Sequence, residues 1–361
     1  MPSDPNISSG CPIHHIFALR DQWVFAARTV FLLLLLALTV PAQAQLPRES
    51  ATVRIGVLSL FHPHTLVLSA DHPITLLLDG APHILDPHRQ ATIRSTPSGL
   101  TVDESPAHSL TLSPETFTLA VPGKLTRTYR GALTITTRDS ALLPVVTMDT
   151  ELAVASIVAA EAPPGAPLEA LKAQAVASRS FLIANPLAHR DFDACDTTHC
   201  QYLRSPPPPT SPAAIATGAT RNIVLTWRAS PDSPPSIIAA MYSRSCGGQT
   251  RVPPRSADPA RYPFYSVRCD YCRRHPELWS RPADTPAPAT EQARIDYNRI
   301  HGWSAIPSNT HTETTAGLEG RGTGHGIGLC QLGAADLAHH GESYAQILAH
   351  YYPNSALSTL P

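Results

Sequence analysis

Residues 149–185 read DTELAVASIVAAEAPPGAPLEALKAQAVASRSFLIAN, and the fold turns on them. Asp149 or Thr150 can accept from a free N–H of a first helical turn. A helix is therefore predicted through ELAVASIVAAE, with Leu152, Ser156 and Ala159 on one face. Pro163 and Pro164 stop it just after Glu161, because proline lacks the N–H that a helix interior needs. Pro167 suits a first turn, and a second helix is predicted from there to Asn185. Leu168, Leu171, Ala175 and Leu182 form its apolar line, and its alanines leave room for another element to approach closely.

On the N-terminal side, VRIGVLSL, TLVLSA, ITLLLDG, TLTLS and ALTITT are short β-branched segments divided by Gly, Pro, Asp or Ser, which predicts an antiparallel β-rich region. On the C-terminal side, RNIVLTW and SIIAAMY predict strands, and AADLAHHGESYAQILAHYY has helical character. Residues 206–209 (PPPP) and 280–290 (SRPADTPAPAT) predict loops. The expected fold class is α+β, with a β-rich N-terminal region (residues 45–147) packed with a mixed α/β region (148–361) of short helices and many loops.

The chain has 361 residues, 43% of them hydrophobic, enough to bury a sizeable core. Lys and Arg total 27 against 28 Asp and Glu, a balance that excludes a strongly basic grip on nucleic acid. The 37 prolines fit a loop-rich chain. Lys124 and Lys172 are the sole lysines, so nearly all positive charge is guanidinium.

Val30 to Val40 (VFLLLLLALTV) is an apolar run preceded by Arg20 and Arg28 and followed by Pro41 and Ala42-Gln43-Ala44. It is short for a membrane span, so residues 1–44 are expected to be a signal peptide cleaved after Ala44. The mature protein would then work in the periplasm, the cell envelope or the medium. An uncleaved N-terminal membrane anchor is the alternative. Cleavage removes Cys11 and leaves six cysteines where disulfides or a metal can form.

Five places offer chemistry. Glu161 falls at a helix C-terminus beside uncharged residues, where the macrodipole and apolar surroundings both disfavour ionisation, as a general acid requires. A helix-end glutamate without a role has the same local signature. In HRDFDACDTTHC, the residues His189, Cys195, His199 and Cys200 have tetrahedral zinc-ligand chemistry, while a Cys195–Cys200 disulfide or free side chains are the alternatives. Cys269-Asp270-Tyr271-Cys272 is a CxxC that can be half a zinc site, a tight disulfide or a redox pair, the last without a thioredoxin-like context. Cys246 and Cys330 stand in glycine-rich segments far apart, where a long-range disulfide is expected. GRGTGHGIGLCQLG (residues 320–333) surrounds His325 and Gln331 with glycine and lacks the Lys-Ser/Thr of a phosphate loop; a site wall or a tight loop fits it.

Taken together, TYRGALTI, VASIVAAEAPPGAPLEALKAQAVASRSF, DFDACDTTHCQYL, YSRSCGG, GRGTGHGIGLCQLGA and ILAHYYP resemble, in order, the stage II sporulation protein D / amidase enhancer (SpoIID/LytB) family across most of Thr128 to Pro353. The resemblance implies cell-wall work: lytic transglycosylases that cut peptidoglycan glycan strands, preferring strands stripped of stem peptides. The family's catalytic Glu, in a Ser-Glu-Met-Pro-like motif, aligns with Glu161 in Ala160-Glu161-Ala162-Pro163, and its helical arginine with Arg179, which the resemblance implies as a second catalytic residue that orients the acid or holds the substrate. The resemblance further implies Tyr242, Ser243, His325 and Gln331 as substrate-binding residues, with Leu332 where an aromatic is often found. It implies structural Zn2+ at His189, Cys195, His199 and Cys200, and no nucleotide or organic cofactor. It also suits the Cys246–Cys330 disulfide, since the family varies between Ser and Cys there. Expected partners are peptidoglycan glycan strands and a cell-wall amidase. The competing roles are a non-catalytic, wall-binding enhancer of that amidase, and a zinc hydrolase with an open coordination position.

Overall fold

The computed structural model describes residues 51–184, 189–253 and 266–360. The expected signal peptide lies outside the described residues. Ten strands come first: Thr52–Gly56 (β1), Thr65–Ser69 (β2), Ile74–Leu78 (β3), Ala81–Leu85 (β4), Gln90–Thr96 (β5), Gly99–Val102 (β6), Ser105–Ala107 (β7), Leu110–Val121 (β8), Leu125–Arg138 (β9) and Ala141–Asp149 (β10). Period-two burial along β9 turns Arg127, Tyr129, Leu133 and Ile135 inward, as a half-buried strand requires. A register shift between Leu112 and Glu115 bends β8, which pairs with β3 before it and β2 after it. The sheet runs β11-β1-β10-β9-β8-β2-β5-β6-β7, where β11 is Ala194–Cys195.

Thr150–Glu161 (α1) follows β10 directly, and Asp149 caps it by accepting from the Leu152 N–H at 2.9 Å. Leu168–Ala184 (α2) comes next. Pro212–Ala219 (α3) and Ile223–Trp227 (β12) lead to Ser236–Ile237 (β13) and Tyr242–Ser243 (β14). Asp270–Arg274 (α4), Leu278–Pro282 (β15), Glu291–His301 (α5), His311–Thr314 (β16) and Gly317–Arg321 (β17) come next. Leu329–Cys330 (β18), Gln331–His339 (α6), Tyr344–Tyr351 (α7) and Ala356–Thr359 (β19) close the order. The fold is α+β with a β-rich N-terminal part, and Ser50–Pro361 forms one compact unit.

Helix α2 lies between two apolar clusters. Leu171, Ala175 and Leu182 join the core under the large sheet, while Ala170, Ala173, Val176 and Ala177 join a second core with α6, α7 and β12. Packing on both sides buries even its polar Gln174, Ser178, Arg179 and Ser180. Two details differ from the sequence pattern. Leu168 is exposed at the first turn, and α1 buries Ala153, Val154, Ile157 and Val158 while Ala159 faces outward. With so few polar residues in α1, its sequence holds no polar face to mark the orientation. The C-terminal helical stretch is two helices, broken where Gly341 takes φ 91°.

Candidate active site and metal centres

Glu161 ends α1 and projects into a cleft of about 680 Å³. Its Oε1 accepts from the Tyr202 N–H at 2.5 Å, and its Oε2 meets the Tyr242 hydroxyl. Tyr242 Oη also lies 2.9 Å from Gln201 Oε1 and accepts from Ser178 Oγ at 3.3 Å. The Gln201 amide is oriented by donating its Nε2–H to the Ser178 carbonyl. Tyr242 can therefore follow the state of the acid. It donates to an ionised Glu161, and toward Gln201 when Glu161 carries the proton. Burial pushes the Glu161 carboxyl up to about 7, against the Tyr242 and Tyr202 hydrogen bonds that favour its ionised form. Desolvation is thus the cause of the shift. Burial also raises the Tyr242 phenol, which stays neutral.

Two distant segments hold this corner in place. Strands β14 and β18 pair in parallel, Tyr242 opposite Leu329 and Ser243 opposite Cys330. The glycine-rich loop reaches that pairing because Gly328, at φ 71°, lies flat on the strand; a Cβ there would stand 1.9 Å from the Met241 carbonyl. Gln331, the next residue after β18, donates its side-chain amide to the Glu161 carbonyl at 3.0 Å. It satisfies one of the carbonyls that a helix end leaves open. Gln331 lines the cleft, but as an anchor of the acid's backbone.

Ser243 and His325 line the same cleft. The Ser243 hydroxyl is buried and has no protein partner. His325 Nδ1 accepts from the Ile327 N–H at 3.0 Å, so the ring's proton resides on Nε2, and burial pushes its pKa down to about 4. It is a neutral donor near pH 7. Three further cleft residues carried no signal in the motif spacing. Trp303 is 53% exposed over the cleft, Glu291 grips Arg294 through both carboxylate oxygens (2.5 and 3.2 Å), and Arg244 lies at the rim. Trp303 stands between Gly302 and Ser304 in a polar loop, which is a usable cue for an exposed aromatic. The Gln201 and Tyr202 contacts had no such cue.

His189, Cys195, His199 and Cys200 also converge. Their ligand atoms all lie within 4.8 Å of one another, with His189 Nε2 to Cys200 Sγ at 3.1 Å and the two sulfurs 3.2 Å apart. β11 pairs in parallel with β1, Cys195 opposite Gly56, so the sheet edge carries this loop. Asp196 ties it down by accepting from Arg127 and the Leu58 N–H, both at 2.9 Å. Neighbouring Cys200, His199 and Thr197 hold the Cys195 thiol well below its usual range, and the Cys195 N–H donates to Cys200 Sγ. Two nitrogens and two sulfurs at these separations fit a tetrahedral ion with no open position.

Two expectations are corrected. Arg179 does not reach Glu161. It is wholly buried, and its guanidinium forks onto Glu151 (2.7 and 2.5 Å) and donates to the Ile223 carbonyl. Consecutive helical residues point about 100° apart, so α2 turns Ser178 toward Tyr242 and Arg179 toward the start of α1. Cys246, Cys269, Cys272 and Cys330 are free thiols, neither a Cys246–Cys330 nor a Cys269–Cys272 bridge. All four sulfurs lie within 4.8 Å of one another, with Cys272 and Cys330 3.5 Å apart, well beyond the roughly 2.05 Å of an S–S bond.

Comparison with known proteins bears on these residues. The family model described as SpoIID, Stage II sporulation protein, matches residues 138–227, which contain α1, α2 and the His/Cys cluster. An uncharacterized protein of Brachyspira hyodysenteriae is 26% identical over 265 residues, covering 62% of this chain and 70% of that protein. The amidase enhancer of Bacillus subtilis is 48% identical over 42 residues, 12% of this chain and 6% of that much longer protein. Residues 138–227 are thus similar to the SpoIID family, and a shorter stretch is similar to an amidase enhancer.

Proposed function

We propose that this protein is exported and cleaves peptidoglycan glycan strands as a lytic transglycosylase, with Glu161 as its single acid and base. The observation that carries this is a cleft carboxyl, lifted by burial to about 7 and fixed by Tyr202, Tyr242 and Gln331. Protonated Glu161 gives its proton to the glycosidic oxygen as the C1–O bond breaks through an oxocarbenium-like state. The carboxylate so formed takes the proton of the muramyl C6 hydroxyl, and that oxygen closes on C1 to leave a 1,6-anhydro end. Glu161 is protonated again, and no water is consumed.

A second free carboxylate is unnecessary because the nucleophile belongs to the substrate. Glu291, the other carboxyl among the described cleft residues, is held by Arg294 and is not available as a base. The Tyr242 hydroxyl stabilises the carboxylate between the two proton transfers and releases it as the proton returns. Ser243, His325 and Trp303 offer a hydroxyl, a neutral N–H donor and an aromatic face to a saccharide. His189, Cys195, His199 and Cys200 would hold a structural zinc ion, whose bonds would stiffen the loop that leads to Gln201 and Tyr202.

The test is digestion of denuded and intact peptidoglycan by wild type and Glu161→Gln, with products read by mass spectrometry. Anhydro-muramyl ends from wild type, lost in the variant, are expected. No such product from wild type on denuded strands overturns the proposal. The name of the amidase enhancer relative supports a second role, a non-catalytic partner of an amidase. In that case neither protein yields anhydro ends and both stimulate the amidase equally.

A further inference from the structure

We propose that Cys246, Cys269, Cys272 and Cys330 form a second metal centre, a tetrathiolate site for zinc that clamps the strands behind Glu161. It is separate from the His/Cys cluster and does not depend on the glycan-cleaving function. The four cysteines come from three stretches of chain: the turn after β14, the start of α4, and β18. Each is at most 1% exposed, and their sulfurs all lie within 4.8 Å of one another. Zinc–sulfur bonds of about 2.3 Å place tetrahedral sulfurs roughly 3.8 Å apart; Cys272 and Cys330 stand at 3.5 Å. Soft thiolates alone select zinc or iron over hard cations.

The surroundings suit a ligand set better than a chance cluster. Tyr351 Oη and Ser245 Oγ each approach a sulfur at 3.5 Å, Cys269 and Cys272 respectively, as polar groups around a metal-bound thiolate do. Helix α6 comes so close that a Cβ on Gly333 would stand 2.6 Å from Cys269 Sγ and 2.0 Å from Tyr351 Oη. Paired disulfides would consume the same cysteines, but four sulfurs gathered on one point satisfy a single ion and favour no one pairing.

The position gives the centre a consequence. Cys330 immediately precedes Gln331, and Cys246 follows Tyr242 by four residues. Both of those neighbours bond to Glu161. One ion bound to all four sulfurs would fix the relative placement of β14 and β18, and with it the frame that holds the acid.

The experiment measures zinc per chain by mass spectrometry in the protein purified without chelator. Wild type is compared with Cys269→Ser/Cys272→Ser and with His189→Ala/Cys200→Ser. Loss of one zinc equivalent in the first variant is expected, whatever the second variant loses, so the two clusters are read independently. Should the serine variant fail to fold, wild type is unfolded without reductant, alkylated and mapped. Labelled thiols at all four cysteines, together with one zinc equivalent still released from the unfolded His189→Ala/Cys200→Ser protein, support the centre. Disulfide-linked peptides among the four, iron in place of zinc, or zinc content unchanged by the serine substitutions overturns it.

Discussion

Glu161→Gln should stabilise the protein above about pH 4.5, by an amount that grows until about pH 7 and then levels off. Glutamine has the shape of the protonated acid. Its Oε1 can accept from the Tyr202 N–H, and its Nε2 can donate to Tyr242 Oη, whose proton then turns to Gln201 Oε1. The wild-type carboxyl is raised by burial from 4.5 to about 7. Between those values the folded state holds the proton more tightly than the unfolded chain does. This stabilising contribution is complete below about pH 4.5 and is lost as pH rises through about 7. At roughly 1.4 kcal/mol per pH unit, ionising Glu161 costs the fold about 3 kcal/mol. Glutamine does not titrate and escapes that cost. Denaturant unfolding of both proteins, compared pairwise across pH, isolates the effect, because His325 and the cysteines titrate alike in both. Near pH 4.5 the two should match, and near pH 8 the variant should be more stable by up to about 3 kcal/mol. A difference independent of pH, or a less stable variant near pH 8, would refute burial as the origin of the raised acid.

Two further substitutions probe the neighbours. Tyr242→Phe removes a hydrogen bond that lowers the Glu161 pKa, so the alkaline limb of glycan cleavage, where the acid loses its proton, should move up by about 1 to 2 pH units; a limb that stays or moves down in the pH–rate profile counts against the relay. Arg179→Met leaves the mostly buried Glu151 carboxylate without its guanidinium and should cost about 3 kcal/mol in denaturant unfolding, most of it recovered in Arg179→Met/Glu151→Leu; an Arg179→Met protein of wild-type stability that no longer cleaves would return the arginine to the site.

Much of the framework was legible because its signals are local. The Asp149 cap, the prolines after Glu161 and the alternation of the N-terminal strands each act within a few residues. They set α1, α2 and the β-rich region close to their observed bounds. The His/Cys cluster was visible for the same reason, since its four residues fall within one short loop. Arg179 shows the limit of such reasoning. Its place on α2 was correct, but which neighbour it faces depends on how α1 crosses α2, and a helix buried on all sides carries no polar face to announce that.

The sequence by itself determined which residues could carry chemistry, and the order of the elements that bear them. Only the tertiary structure decided which of them meet. Tyr242 lies 81 residues from Glu161 and Gln331 lies 170 residues from it. Their convergence depends on a two-residue parallel pairing of β14 with β18 and on a glycine that lets one lie against the other. The same pairing draws Cys246 and Cys330 toward Cys269 and Cys272, so that an expected cross-link and a separate CxxC become one cluster of four sulfurs. Caps and periodicity record the energies of neighbours along the chain. Burial of a carboxyl and convergence of thiols are properties of packing between distant segments, and spacing along the sequence does not encode them.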